Sequence, residues 1–205
     1  DALRVVEVRG RGMQACAEER GGTMAAIIGL GNEVVEEVCA AIPDVWLANY
    51  NSPGQVVISG AVGAVRAAGE VAQAKGARRV LELPVSGAFH TPFMAGAAEA
   101  LAEALAEVKF VAGQARFLST TELRYPDPGE LPGVLARQLM SPVKFAQSME
   151  ACLAAEDAPE RGLEVGPGAV LTGLLKRIAR DFPMAATGDG DALAQALAVE
   201  AGGSR

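Results

Sequence analysis

The sequence predicts an α/β protein, and three observations carry that reading. Short apolar runs alternate with stretches of helical periodicity, glycine and proline stand between them, and one continuous stretch follows the order β-α-β-β-α-β. The chain opens in helical spacing, with Leu3, Val6, Val8 and Met13 as its apolar positions, and a polar hinge follows from Glu18 to Gly22. Met24 to Gly29 is a strand. Gly31 to Ile42 is a helix through Val34, Val35, Val38, Cys39 and Ile42, stopped at Pro43-Asp44. Val45 to Tyr50 and Gln55 to Gly60 are two strands separated by Asn51-Ser52-Pro53-Gly54, whose Pro and Gly set the dihedrals of a hairpin turn. Ala61 to Lys75 is a helix closed by Gly76, and Arg78 to Val85 is the fourth strand. This order over Thr23 to Val85 is a ferredoxin-like split βαβ arrangement.

Beyond it, Leu83 to Met94 turns from strand to helix, and the alanine-rich helix Ala95 to Val108 begins. Phe110 to Leu118 reads as extended, and Pro126, Pro128 and Gly129 mark a loop. Leu131 to Leu139 is a helix ending before Ser141-Pro142, since the residue before proline disfavours the helical region. Phe145 to Ala155 is another. Arg161 to Val165 reads as a buried strand running into Gly166-Pro167-Gly168, followed by a helix from Val170 to Arg180 and a last one from Ala192 to Ala201. Lys176, Arg177 and Arg180 suit the negative end of their helix dipole. The alternation argues for a mainly parallel sheet with the ferredoxin-like unit inserted into it. The opening, which lacks an initiator methionine, suggests a chain cut from a longer one.

Composition removes several classes of function. A net charge of -7 offers nothing to a phosphate backbone, and 4% aromatic residues leave few stacking platforms, so no nucleic-acid partner is expected. Apolar runs are broken before the ~20 residues a bilayer requires, so no membrane is expected either. Cys16, Cys39 and Cys152 lack metal-ligand or CxxC spacing, which fits reduced thiols in a cytoplasmic protein without a metal.

The chemistry concentrates at Ser86-Gly87-Ala88-Phe89-His90, which holds the only histidine of the 205 residues. A histidine where a strand feeds a helix is a candidate general base, and the plainer alternative is a solvated loop imidazole. Further stretches stand in a fixed order around it: Val8-Arg9-Gly10-Arg11-Gly12-Met13-Gln14, Ala25 to Leu30, Asn49-Tyr50-Asn51-Ser52-Pro53-Gly54-Gln55 continuing to Gly60, Arg137-Gln138-Leu139-Met140-Ser141-Pro142-Val143, and Glu164 to Leu171. In these motifs and their order the chain resembles the malonyl-CoA:acyl carrier protein transacylases, and more distantly the acyltransferase domains of polyketide synthases.

The resemblance implies a two-part fold. Residues 1–20 and 86–205 would form an incomplete, α/β-hydrolase-like large subdomain, and residues 21–85 the ferredoxin-like small one. It also implies transfer of a malonyl group from coenzyme A to the phosphopantetheine thiol of acyl carrier protein through a malonyl-serine, in fatty acid synthesis, by a monomer with no cofactor. His90 would be the base, and the main-chain carbonyl of Gln138 would orient it. Arg9 would hold the malonyl carboxylate, for which a guanidinium offers a bidentate fork. Asn49 and Asn51 would face the cleft, or else cap their own turn. Phe89 would exclude an α-methyl branch, or else simply pack under its turn. Two departures stand out. Thr120 occupies a position where relatives often carry asparagine, and none of the seven serines lies in G-x-S-x-G, so no nucleophile is found in this chain and it is expected to be inactive alone. Competing expectations are a carrier-protein docking module without chemistry, and a serine hydrolase of similar architecture, which Arg9 disfavours.

Overall fold

Helix α1 (Ala2–Glu19) precedes a run of six elements: β1 (Thr23–Ile28), α2 (Asn32–Ala41), β2 (Val45–Ser52), β3 (Gln55–Gly60), α3 (Val62–Ala74) and β4 (Arg79–Glu82). The computed structural model describes residues 1–188 and 190–194. Strands β1 to β4 form one sheet in the order β2-β3-β1-β4, antiparallel at every pairing. Because strand side chains alternate, the sheet has two distinct faces. One carries Ala25, Ile27, Val45, Leu47, Val56 and Ile58 and is covered by Val35 and Val38 of α2 and by Val65, Ala68 and Ala72 of α3. The opposite face carries Met24, Ala26, Ala48 and Val57, against which Leu83, Val85 and Phe89 pack. The chain leading to His90 therefore lies on the sheet. Pro53-Gly54 closes the β2–β3 hairpin, and Gly54 sits at φ 68°, a backbone region that side chains disfavour.

A second core lies among helices. Cys16 of α1, Phe93 and Met94 of a 3-10 turn (Pro92–Met94), Ala97, Ala98, Leu101 and Leu105 of α4 (Ala95–Ala106), and Leu139 are buried together, with Ala88. Leu139 directly follows α5 (Leu131–Gln138), and α6 (Phe145–Leu153) comes after it. The chain divides into two compact units, Asp1–Ser148 and Met149–Arg205.

In the second unit, β5 (Gly162–Glu164) pairs in parallel with β6 (Met184–Ala186), and α7 (Val170–Ile178) joins them. Glu164 caps α7 from the strand end. Its carboxylate accepts from Leu171 N–H at 3.0 Å, Thr172 N–H at 2.8 Å and the Thr172 hydroxyl at 2.7 Å, which holds its pKa below the usual 4.5.

Several expectations need correction. The four-stranded sheet follows the β-α-β-β-α-β order expected over Thr23 to Val85, whereas the mainly parallel sheet expected in addition is limited, among the described residues, to β5 and β6 and an isolated parallel bridge between Asn49 and Val143. Residues 110–118 form no strand: Val111 and Phe117 are exposed, and among the described residues no strand pairs with this stretch. The run Arg161 to Val165 is not buried, since Leu163 is 50% and Val165 80% exposed. The fourth strand spans Arg79–Glu82 only, and β6, three residues long, carries no sequence signal that distinguishes it. Most of the helix expected over Ala192 to Ala201 lies outside the described residues. Among those described, no helix is long and apolar enough to cross a membrane.

Candidate active site

After β4, Leu83 N–H still donates to the carbonyl of Met24 at 2.8 Å, and then the chain leaves the sheet for a turn. Ala88 is fully buried in that turn, and His90 occupies the left-handed region at φ 62°. The half-buried imidazole places Nδ1 3.1 Å from the carbonyl oxygen of Gln138. A carbonyl can only accept, so Nδ1 must carry the proton and Nε2 is left with its lone pair outward. Gln138 can offer that oxygen because it ends α5, where the last carbonyls have no partner in the next turn; among the described residues it is shared only with the Ser141 N–H at 3.4 Å.

Burial, two backbone dipoles and one cation set the proton affinity of His90. Burial pushes its pKa below 6.5 and is the largest effect. The Gln138 carbonyl opposes it, the Arg9 cation adds to it, and the Ser141 backbone opposes it. The ring is thus neutral, and competent as a base, at neutral pH.

Arg9 reaches the same place from α1. Its half-buried guanidinium puts Nη2 3.5 Å from the side-chain oxygen of Gln138, the outer limit of a hydrogen bond, and burial lowers its pKa. Gln138 therefore touches both partners, the imidazole through its main chain and the guanidinium through its side chain. From the sequence the side chain looked incidental, because a contact across 129 positions leaves no periodicity to read.

The segment after Gln138 is tied to the sheet edge. Val143 N–H donates to the Ala48 carbonyl at 2.8 Å, and Tyr50 N–H donates to the Val143 carbonyl at 2.8 Å, so Asn49 of β2 stands opposite Val143 at a bulge. The next residue, Lys144, donates its N–H to the carbonyl of Thr120 at 2.8 Å. Asn49 is half-buried beside this segment. Asn51, two residues further along β2, has no hydrogen bond to His90, Arg9 or Gln138. Phe89 packs against both the sheet face and the helical core, and a Cβ on Gly87 would lie 2.7 Å from its ring.

Around α5, Glu122 bridges Arg124 and Arg137, while Arg124 grips Glu130 through both carboxylate oxygens at 2.7 and 2.8 Å. Arg124, followed by the Asp127 N–H, holds the Glu130 carboxyl at about 2. Nothing in the spacing of these charges in the sequence marks them as a cluster.

Comparison with known proteins agrees with this geometry. The profile of the acyl transferase domain family matches residues 1–197. The malonyl CoA-acyl carrier protein transacylase of Escherichia coli (strain K12) is 41% identical over 201 residues, covering 96% of this chain and 64% of its own length. That of Bacillus subtilis (strain 168) is 34% identical, covering 96% and 63%. The chain thus spans somewhat under two thirds of the length of these relatives. Among solved structures, MCAT from Streptococcus pneumoniae superposes with a TM-score of 0.91 at 36% identity, over 97% of this chain and 66% of that one. A malonyl-transacylase in complex with a type II PKS acyl-carrier protein gives 0.91 at 38% identity, over 97% and 65%. With the profile matched along nearly its whole length, the chain belongs to the acyl transferase domain family, alongside the malonyl CoA-acyl carrier protein transacylases.

Proposed function

We propose that these residues supply the base and the carboxylate site of a malonyl transferase, which moves malonyl from coenzyme A to the phosphopantetheine thiol of acyl carrier protein in fatty acid synthesis. The observation that carries the reading is the meeting of His90 and Arg9 on the two ends of Gln138. A serine outside these 205 residues is the nucleophile. His90 Nε2 takes its hydroxyl proton as the oxygen attacks the thioester carbon, and the resulting imidazolium gives that proton to the departing coenzyme A sulfur. In the second half, Nε2 takes the proton of the carrier thiol, whose sulfur attacks the malonyl ester, and the serine oxygen leaves with the proton. The Gln138 carbonyl holds the tautomer through both halves, as a carboxylate does in a protease triad. Arg9 pairs with the malonyl carboxylate, and Asn49 and Asn51 border the cleft.

In architecture, residues 21–85 are the ferredoxin-like small subdomain, and residues 1–20 and 86–205 belong to an α/β-hydrolase-like large one. The strand order β2-β3-β1-β4 supports the first assignment. The three cysteines form no disulfide among the described residues, which suits a cytoplasmic setting. Similarity to a transacylase bound to a polyketide carrier protein favours a second reading, in which the acceptor is a polyketide carrier.

The test uses the complete protein, its N-terminal segment included. His90→Ala should slow serine acylation by ~10² or more, and wild-type kcat/KM should fall along an acid limb with its midpoint below pH 6.5. Arg9→Ala should raise KM for malonyl-CoA and improve relative use of acetyl-CoA. Phe89→Ser should gain no use of methylmalonyl-CoA if the ring only packs. The 205 residues alone should transfer no malonyl, and robust activity from them would place the nucleophile among their own serines.

A further inference from the structure

His90 adopts a backbone conformation that only glycine takes without cost, so something nearby must hold it. The holding group is the hydroxyl of Thr91. This side chain is completely buried. Its Oγ1–H donates to the carbonyl of Ala88 at 2.6 Å, two residues before His90, and its oxygen accepts from the N–H of Phe93 at 3.2 Å, three residues after it. The Thr91 carbonyl in turn accepts from Met94 N–H at 3.0 Å. One hydroxyl thereby ties the chain entering the histidine turn to the chain leaving it.

The residues it joins cannot shift independently. Ala88 and Met94 are each 0% exposed in the helical core, and Phe93 is fixed there too, under the Arg20 guanidinium at 3.5 Å and edge-on to Trp46 at 5.4 Å between ring centres. The His90 side chain leaves this core, and its direction toward the Gln138 carbonyl follows from the fixed backbone on either side. Replacing the hydroxyl with a methyl would leave the Ala88 carbonyl and the Phe93 N–H without that partner, both beside buried groups, which favours an alternative turn.

We propose that Thr91 is a positioning residue for His90, acting through the backbone of the turn to keep the imidazole on the Gln138 carbonyl. The inference rests on reading His90 as the transfer base for its consequence, but its test needs no turnover, so the two can fail separately. Because His90 is the only histidine, imidazole nitrogen NMR of the 205-residue chain reports that ring alone. Wild type should show Nδ1 protonated, Nε2 unprotonated, and a titration midpoint below 6.5. Thr91→Val should average the two tautomers and move the midpoint up toward 6.5, while Thr91→Ser should match wild type. Thr91→Ala against Thr91→Ser repeats the comparison without the γ-methyl, should the valine variant fail to fold. Folded Val and Ala variants that keep the wild-type tautomer and midpoint would overturn the proposal and reduce Thr91 to a cap of the 3-10 turn.

Discussion

The strands of the four-stranded sheet and the run from Arg161 to Val165 that holds β5 start from the same signal, a short apolar run, and end in opposite surroundings. Ile27, Val56 and Ile58 are at most 1% exposed, whereas Leu163 is 50% and Val165 80% exposed. The strands themselves do not differ in kind. The antiparallel sheet carries α2 and α3 in its own connections, so these two helices cover one face, and the stretch from Leu83 to Phe89 folds over the other. The parallel pair has one connecting helix and three residues per strand, too little to cover two faces. Burial of a strand is decided by what its connections bring, and an apolar run in isolation cannot announce it.

That contrast breaks first under core truncation. Ile58→Ala, in the fully covered sheet, should lower unfolding stability by about 2–5 kcal/mol, read by chemical denaturation, because the lost methylenes leave a cavity among fixed neighbours. A loss below about 1 kcal/mol would mean that the sheet core repacks freely and is no better enclosed than the pair. In the second unit the largest effect should come from a polar residue instead. Glu164→Gln should cost hydrogen-exchange protection at Leu171 and Thr172, since α7 would lose its charged cap. The sign with pH follows from the depressed folded pKa: the cap's contribution is present above pH 4.5 and is lost as pH falls through the folded value. Acid should therefore reproduce the variant in wild type and leave Glu164→Gln largely unmoved. The smallest effect should be that of Leu163→Ala, within about 0.5 kcal/mol. A larger loss would show that its exposed face is covered in solution.

The comparison also marks what was legible in the sequence. Helix periodicity and the Pro53-Gly54 turn placed β1 through α3 within a few residues, because both are local signals. The motifs brought Arg9, His90 and Gln138 forward as a set by resemblance, with no geometry attached. What stayed hidden lies in contacts without period: the Gln138 side chain on Arg9, the Glu164 carboxylate under α7, and Val143 on the edge of β2. Phe110 to Leu118 misled for the complementary reason. Its apolar residues have the composition of a strand, but a strand also needs a partner backbone, and none lies beside it among the described residues.

Val143 has a consequence for solubility as well as for the site. Its two hydrogen bonds to Ala48 and Tyr50 occupy part of the outer backbone of β2, the edge where a second sheet could otherwise add itself. The far edge, β4, is a short strand whose Leu81 stands between the charged Arg79 and Glu82. The stretch that delivers the Gln138 carbonyl to His90 thus also shields the longer of the two edges. Loosening it would expose a template for intermolecular strand pairing, so variants around Ser141-Pro142-Val143 should be lost to aggregation as readily as to inactivity.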